Sequence, residues 1–287
     1  MKKIKMKGRN LRPGLRAKIL GVSLPVTIIM VIVMIAIAYS VSEADIMNSS
    51  QSLLSTSAKD QSSQIEAWLN RKLEEVKTVK YDLEHSGAIK DQKQLQRKLD
   101  DYYGLDSAFV GGFYIADTKG NVMQAAGNQT KYDGATEQIW YKEGLTRMNP
   151  DYTQAYEDSE GNMMISACGM LDDPDNVRVL ATSLSLDSVN IIVNSSVSMQ
   201  GAESLLVDQV NGDILASRDS GLVSTSVDNA SDGFLKKVAD KIKKDDDSVV
   251  TLGDKVVVTR DISGTDWVLV SYVPKSLITS EVDNLRN

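Results

Sequence analysis

From Ile19 to Ser42 the chain carries no charged residue, and the run Ile19-Leu-Gly-Val-Ser-Leu-Pro25-Val-Thr-Ile-Ile-Met-Val-Ile-Val-Met-Ile-Ala-Ile-Ala-Tyr39 is almost wholly apolar. About 20 such residues are enough to cross the hydrocarbon of a bilayer. Residues 19–41 are therefore predicted to form a transmembrane helix, with Pro25 tolerated as a kink near one end. The flanks give the direction. Lys2, Lys3, Lys5, Lys7, Arg9, Arg12, Arg16 and Lys18 precede the span, and the first acidic residue is Glu43. The positive-inside bias puts the basic tail, 1–18, in the cytoplasm and the body outside the cell membrane. Ala36-Ile37-Ala38 has the form of a signal-peptidase site, but the apolar region exceeds the usual ~7–15 residues of a cleaved signal. On either reading the body is exported.

The body is acidic. Eight of the 32 basic residues lie in the tail, leaving 24 against 39 acidic ones in the remainder. Such a surface repels phosphate backbones, so no nucleic-acid partner is expected. With Cys168 the only cysteine and His85 the only histidine, an internal disulfide, a thiolate zinc cluster and any two-histidine mechanism are excluded.

Between Ser42 and Leu83 there is neither Pro nor Gly, and Ile65, Trp68, Leu69, Leu73, Val76, Val79 and Leu83 recur at three- and four-residue steps. That spacing predicts one apolar stripe on a long stalk helix over 42–86, ended by Gly87. Two helices broken in the Ser-rich stretch are the alternative. A short helix follows at 91–102. After Gly104 the period changes to that of strands, with hairpins over 109–125 and 162–186 and a helix from Asp187 to Ser198 that Asp187 is placed to cap. The remainder repeats the plan: strands at 204–207 and 214–217, a basic amphipathic helix at 232–244, and strands at 248–252, 255–260 and 266–273. Strands follow strands without crossover helices, so the fold class is α+β, with two tandem antiparallel-sheet modules.

Catalytic signatures are missing. There is no nucleophile elbow, phosphate-cradling loop, zinc-binding helix or dinucleotide glycine fingerprint, so the chain is read as not an enzyme, with no cofactor and no metal site. His85 reads as a helix-end cap, and Cys168 as a buried small side chain. Asp172, Asp173, Asp175 and Asn176 read as a solvated turn, since the central Gly and terminal Glu of a calcium loop are lacking. Tyr132, Trp140, Tyr141, Tyr152 and Tyr156 cluster in a segment between hairpins. Such rings serve equally to roof a sheet or to wall a pocket.

The tail, single span, long helix and tandem PAS-like modules resemble the double Cache (dCache) extracytoplasmic sensor region of bacterial methyl-accepting chemotaxis proteins and related transmembrane receptors. The local match is Tyr132-Asp133 through Trp140-Tyr141-Lys142-Glu143, then Tyr152-Thr-Gln-Ala-Tyr156-Glu-Asp158 and Gly161-Asn162 into a strand. The resemblance implies a membrane-distal ligand-binding module over 87–199, a membrane-proximal module over 200–275 and the start of a return helix at 276–287. It implies a small-molecule ligand held by Trp140, Tyr141 and Tyr156, with Gln138, Ser183 and Tyr114 as neutral hydrogen-bonding groups. It also implies a homodimer paired through the long helix. Amino-acid-binding members carry an Arg and an Asp where this chain has Gln138 and Ser183, so a zwitterionic amino acid is not expected as the ligand. A second span and a signalling region should follow Asn287; the sequence is therefore read as a fragment or as a sensor, or anchored scaffold, without its own output. A chemoreceptor is favoured over the sensor of a histidine kinase or diguanylate cyclase.

Overall fold

A computed structural model describes residues 15–158, 160–195, 199–244 and 247–284, with side chains placed between 23 and 279. The basic residues at 2–12 and the predicted helix end at 196–198 lie outside the described residues. The chain divides into two compact units, one comprising the chain up to Ser49 with its end from Ile278, the other Ser50–Leu277.

Helix α1 is a single element, Leu15–His85, with Pro25 inside it. The Ser-rich stretch does not break it. Its apolar part is solvent-facing all round, with Met30, Ile32, Met34 and Ile35 strongly exposed, and it is the one helix among the described residues long and apolar enough to cross a membrane. The stripe read from the sequence is buried in the second unit, where Ile65, Leu69, Val76 and Leu83 are 3% exposed or less. Each such side chain contributes roughly 1.5–3 kcal/mol of transfer free energy. Gly87 stops the helix in the left-handed region at φ 79°, and His85 Nδ1 lies 2.9 Å from the Tyr81 carbonyl oxygen, as the helix-end reading required.

Helix α2 (Gln92–Tyr102) starts at Asp91, whose carboxylate accepts the Lys93 N–H at 2.9 Å. The first sheet then contains β1 (Phe109–Asp117), β2 (Val122–Gln124), β3 (Asp151–Tyr152), β4 (Tyr156–Glu157), β5 (Met163–Met170) and β6 (Arg178–Ser185), with helix α3 (Ile139–Gly144) between β2 and β3. Its order is β2-β1-β6-β5-β3, with β4 also on β5, and every pairing is antiparallel. Helix α4 (Asp187–Ser195) closes the module. Asp187 does not cap it as expected: the Ser185 hydroxyl accepts the Asp187 N–H at 3.1 Å, so the side-chain acceptor lies two residues earlier.

The second sheet contains β7 (Glu203–Asp208), β8 (Ile214–Ser217), β9 (Val250–Leu252), β10 (Lys255–Ile262) and β11 (Trp267–Pro274), with helix α5 (Gly233–Ile242) between β8 and β9 and α6 (Lys275–Asn284) after β11. Its order, β8-β7-β11-β10-β9, reproduces that of the first sheet strand for strand. The duplication predicted from strand spacing is thus an identical topology. The two short strands and α3 carry no sequence signal, because two-residue strands and a six-residue helix span too few repeats of their hydrophobic periods to show one.

Bonds from α1 tie both sheets to it. The Tyr152 hydroxyl donates to the Leu69 carbonyl at 2.6 Å. Gln61, wholly buried, donates to the Val193 carbonyl at the end of α4 (3.1 Å) and accepts from Ser204 on β7 (2.9 Å).

Candidate functional site

The first sheet buries an unusual set of groups on the face away from Tyr152. Alternation along β1 places Tyr114 and Ala116 on that face; the register Tyr114↔Ala181, Cys168↔Ala181 and Ser166↔Ser183 places Ala181, Ser183, Cys168 and Ser166 beside them. A bulge between Val110 and Phe113 sets this alternation, with Gly111 at φ 74° and Gly112 at φ 70°. A Cβ on Gly111 would stand 3.0 Å from the Asn128 side chain, so glycine is needed there for conformation and space together.

Four hydroxyls meet at the centre. Tyr114 Oη lies 2.9 Å from Ser183 Oγ, and Tyr156 Oη lies 2.9 Å from Ser166 Oγ and 3.1 Å from Ser183 Oγ. Either atom of each pair can be the donor, so the four hydroxyls bond to one another across the sheet. Burial, with the neighbouring Tyr132 and Tyr156, raises the Tyr114 pKa well above the ordinary tyrosine value. Tyr132 is pushed up to about 12, again by burial first. Both phenols therefore stay protonated and able to donate at neutral pH.

Aromatic rings cover the hydroxyls. Tyr114 stacks at a tilt on Tyr132 (centroids 4.3 Å apart) and meets the edge of Trp140 at 4.9 Å. Trp140 meets Tyr141 edge-on at 5.8 Å. Trp140 and Tyr141 are 4% and 3% exposed, and with Ala135, Val179, Ala181 and Cys168 they form one packed cluster. The Tyr141 hydroxyl is buried without a partner, and burial raises its pKa. Cys168 lies beneath, its thiol pushed up to about 12 mainly by burial.

The structure thus brings Tyr114, Tyr156 and Ser183 into hydrogen-bond contact and Trp140 over them, and packs Tyr141 at the side. Gln138 stands apart. It is exposed at the start of α3, and its amide reaches only the Asp133 carbonyl at 3.4 Å. Sequence reasoning missed Ser166, although a serine in the apolar run of β5, facing the same way as Cys168, was the available signal. Trp140 and Tyr141 are themselves packed against this face, and the cavities of about 470, 770 and 520 Å3 in the second unit are lined by other residues.

The Cache domain family profile, dCache_1, matches residues 38–282. The chain belongs to the Cache domain family, and its sequence is that of a dCache sensor region. No curated protein matches the sequence. Among solved structures, the ligand-binding domain of the Pseudomonas fluorescens chemoreceptor CtaA, in complex with L-isoleucine, is 19% identical with TM-score 0.60, covering 83% of this chain and 96% of that one. The ligand-binding domain of the Pseudomonas aeruginosa amino-acid chemoreceptor PctC, in complex with GABA, is 17% identical with TM-score 0.63, covering 78% and 99%. The extracellular domain of a putative histidine kinase, mmHK1S-Z2, is 14% identical with TM-score 0.62, covering 81% and 98%. At these identities the likeness is one of fold.

These neighbours correct one expectation. The exclusion of an amino-acid ligand does not stand, because solved domains of this fold hold isoleucine and GABA. The physical error lay in letting two positions decide. Gln138 is exposed at the start of α3 and bonds to the Asp133 carbonyl alone, so its lack of charge does not by itself decide what the hydroxyl cluster holds. Ser183 is one of four hydroxyls that share the polar interior.

Proposed function

We propose that this chain is the extracytoplasmic sensor of a membrane-anchored chemoreceptor, and that its membrane-distal module binds a small solute beneath Trp140. The residues assigned to the site are Trp140, Tyr141, Tyr156, Ser183 and Tyr114, joined by Tyr132 and Ser166, with Gln138 at the entrance. The observation that carries the reading is the polar interior of the first sheet, where four hydroxyls meet under a ring cover. Amino acids and their decarboxylated or chain-extended relatives are the ligand class, by likeness to the solved neighbours. Since Trp140 and Tyr141 are buried against the sheet in the free chain, a ligand enters by lifting residues 132–141, a segment that contains the left-handed Gly134 (φ 62°). Binding then selects the lifted state at the expense of the closed one.

The basic tail and apolar span support an orientation with the head in the cytoplasm and the modules outside. Pairing of two copies along α1 is supported by the exposed Tyr81 on the helix and the exposed Leu105 near Val79 of its stripe. A histidine-kinase sensor is the second reading, favoured by the mmHK1S-Z2 likeness alone.

Titration of the full chain with isoleucine, GABA and the other common amino acids, followed by calorimetry, tests the ligand site. At least one gives saturable binding that Tyr156→Phe weakens by about tenfold, the loss of one charge-assisted hydrogen bond. Unaltered affinity in Tyr156→Phe, with the variant folded, removes the cluster from the site.

A further inference from the structure

A separate cavity of about 470 Å3 lies at the junction of the two sheets, with walls from both. Glu143, Arg147, Asp151 and Tyr152 come from the α3–β3 region of the first module; Asp208, Asp266 and Trp267 come from the end of β7 and the start of β11. It shares none of Tyr114, Tyr156, Ser166 or Ser183. Its volume falls within the range of small-molecule sites, about 300–1,000 Å3.

The charges are one-sided. Against four carboxylates stands Arg147, which is already engaged: Nη2 pairs with Glu143 at 2.5 Å and Nη1 donates to the Tyr152 carbonyl at 2.8 Å. Asp151, Asp208 and Asp266 have no lysine or arginine partner among the described residues. Asp208 is the telling group. It is only 2% exposed, yet its carboxylate receives only neutral backbone bonds, from the Val210 N–H at 2.8 Å and from the Asn211 N–H, and no cation. A buried carboxylate without a counter-charge is costly. Burial first, then Asp266 and Asp213, push its pKa upward. Trp267 and Tyr152 add apolar and aromatic wall. An anion would meet only repulsion here. A bare metal ion is disfavoured too, since the described residues hold no group of three or more acidic, His or Cys side chains close enough to ligate one.

We propose that this junction cavity is a second binding site, that it takes a small organic ammonium ion, and that Asp208 is its buried counter-charge with Asp266 and the Trp267 face completing it. Because its walls come from both sheets, an occupant holds the two modules together, whatever fills the ring-covered site.

The experiment uses the full chain in lipid nanodiscs, titrated with putrescine by calorimetry and by thermal shift, with butanediol as the uncharged analogue and calcium as the metal alone. Putrescine is expected to bind saturably and raise the melting temperature, and butanediol to do neither. Asp208→Asn is expected to weaken putrescine by about tenfold or more, and the exposed Asp266→Asn by several-fold, as loss of a charge-assisted partner does. Tyr156→Phe, which keeps its ring, is expected to leave putrescine affinity unchanged. Should Asp208→Asn fail to fold, Asp266→Asn decides. The proposal is overturned by an absence of saturable putrescine binding, by affinity unchanged in the folded Asp variants, by calcium displacing putrescine, or by Tyr156→Phe abolishing the binding.

Discussion

The two sheets share one strand order but bury opposite things on the corresponding face. The first encloses Tyr114, Tyr156, Ser166 and Ser183 in mutual hydrogen bonds beneath Trp140. The second encloses Leu205, Val207, Ile214, Val257, Val268 and Val270 against Leu235 and Val238 of α5. The hydroxyl set is the less deeply enclosed, since Tyr156 and Ser183 are only half-buried, whereas the aliphatic residues of the second sheet are 5% exposed or less and gain nothing from opening. A hydroxyl cluster exchanges its internal bonds for bonds to a solute with little net change, whereas opening an aliphatic core exposes area worth about 25 cal/mol per Å2. Identical topology thus permits one module to adapt and the other to stay rigid.

Five substitutions sharpen or break that contrast. Trp140→Ala removes the ring cover and leaves a void, so it should destabilise the first module by about 3–5 kcal/mol; denaturant unfolding reads this, and a loss below about 1 kcal/mol would mean the cover is loosely seated. Gln61→Leu strips the long helix of its bonds to Val193 and Ser204. A loss of about 1–3 kcal/mol is expected, with faster amide exchange concentrated in β7 and β11. Ser183→Ala takes one partner from both Tyr114 and Tyr156 and should cost about 1–2 kcal/mol. The smallest effect tests electrostatics outside the cluster. Asp82 accepts from Lys98 and from the Tyr102 hydroxyl, and those bonds lower its pKa in the folded chain. Its contribution is therefore present above the unfolded carboxylate pKa and lost as pH falls through the folded value. Asp82→Asn should lower stability at neutral pH by under about 1 kcal/mol, and the gap should close in acid. Asp208 has the opposite sign: its folded pKa is raised, so its ionisation penalty is present above that value and relieved as pH falls. Asp208→Asn should stabilise the chain at neutral pH and lose that advantage in acid.

Much of this architecture was legible because it is periodic. The charge-free run ending at Ser42, the stripe from Ile65 to Leu83 and the continuous apolar runs of β1, β5, β10 and β11 are each long enough to reveal the element that holds them. The candidate site was legible only in part. Of the residues the sequence singles out, Tyr114, Tyr156 and Ser183 meet in hydrogen bonds with Trp140 packed on Tyr114, while Gln138, two residues before Trp140, is left exposed by the short α3. Ser166 joins the cluster through cross-strand register with Ser183, a relation between segments that no local pattern encodes. The junction cavity depends on the end of β7 meeting the α3–β3 region, which follows from packing alone.

Hydrogen–deuterium exchange of the full chain, with and without saturating amino acid drawn from the panel that gives binding, compares the modules within one molecule. The account predicts ligand-dependent protection in β5 and β6 and altered exchange across 132–141, with β7, β10 and β11 unchanged. Protection confined to the second sheet, or no change in the first with any amino acid tested, would contradict it.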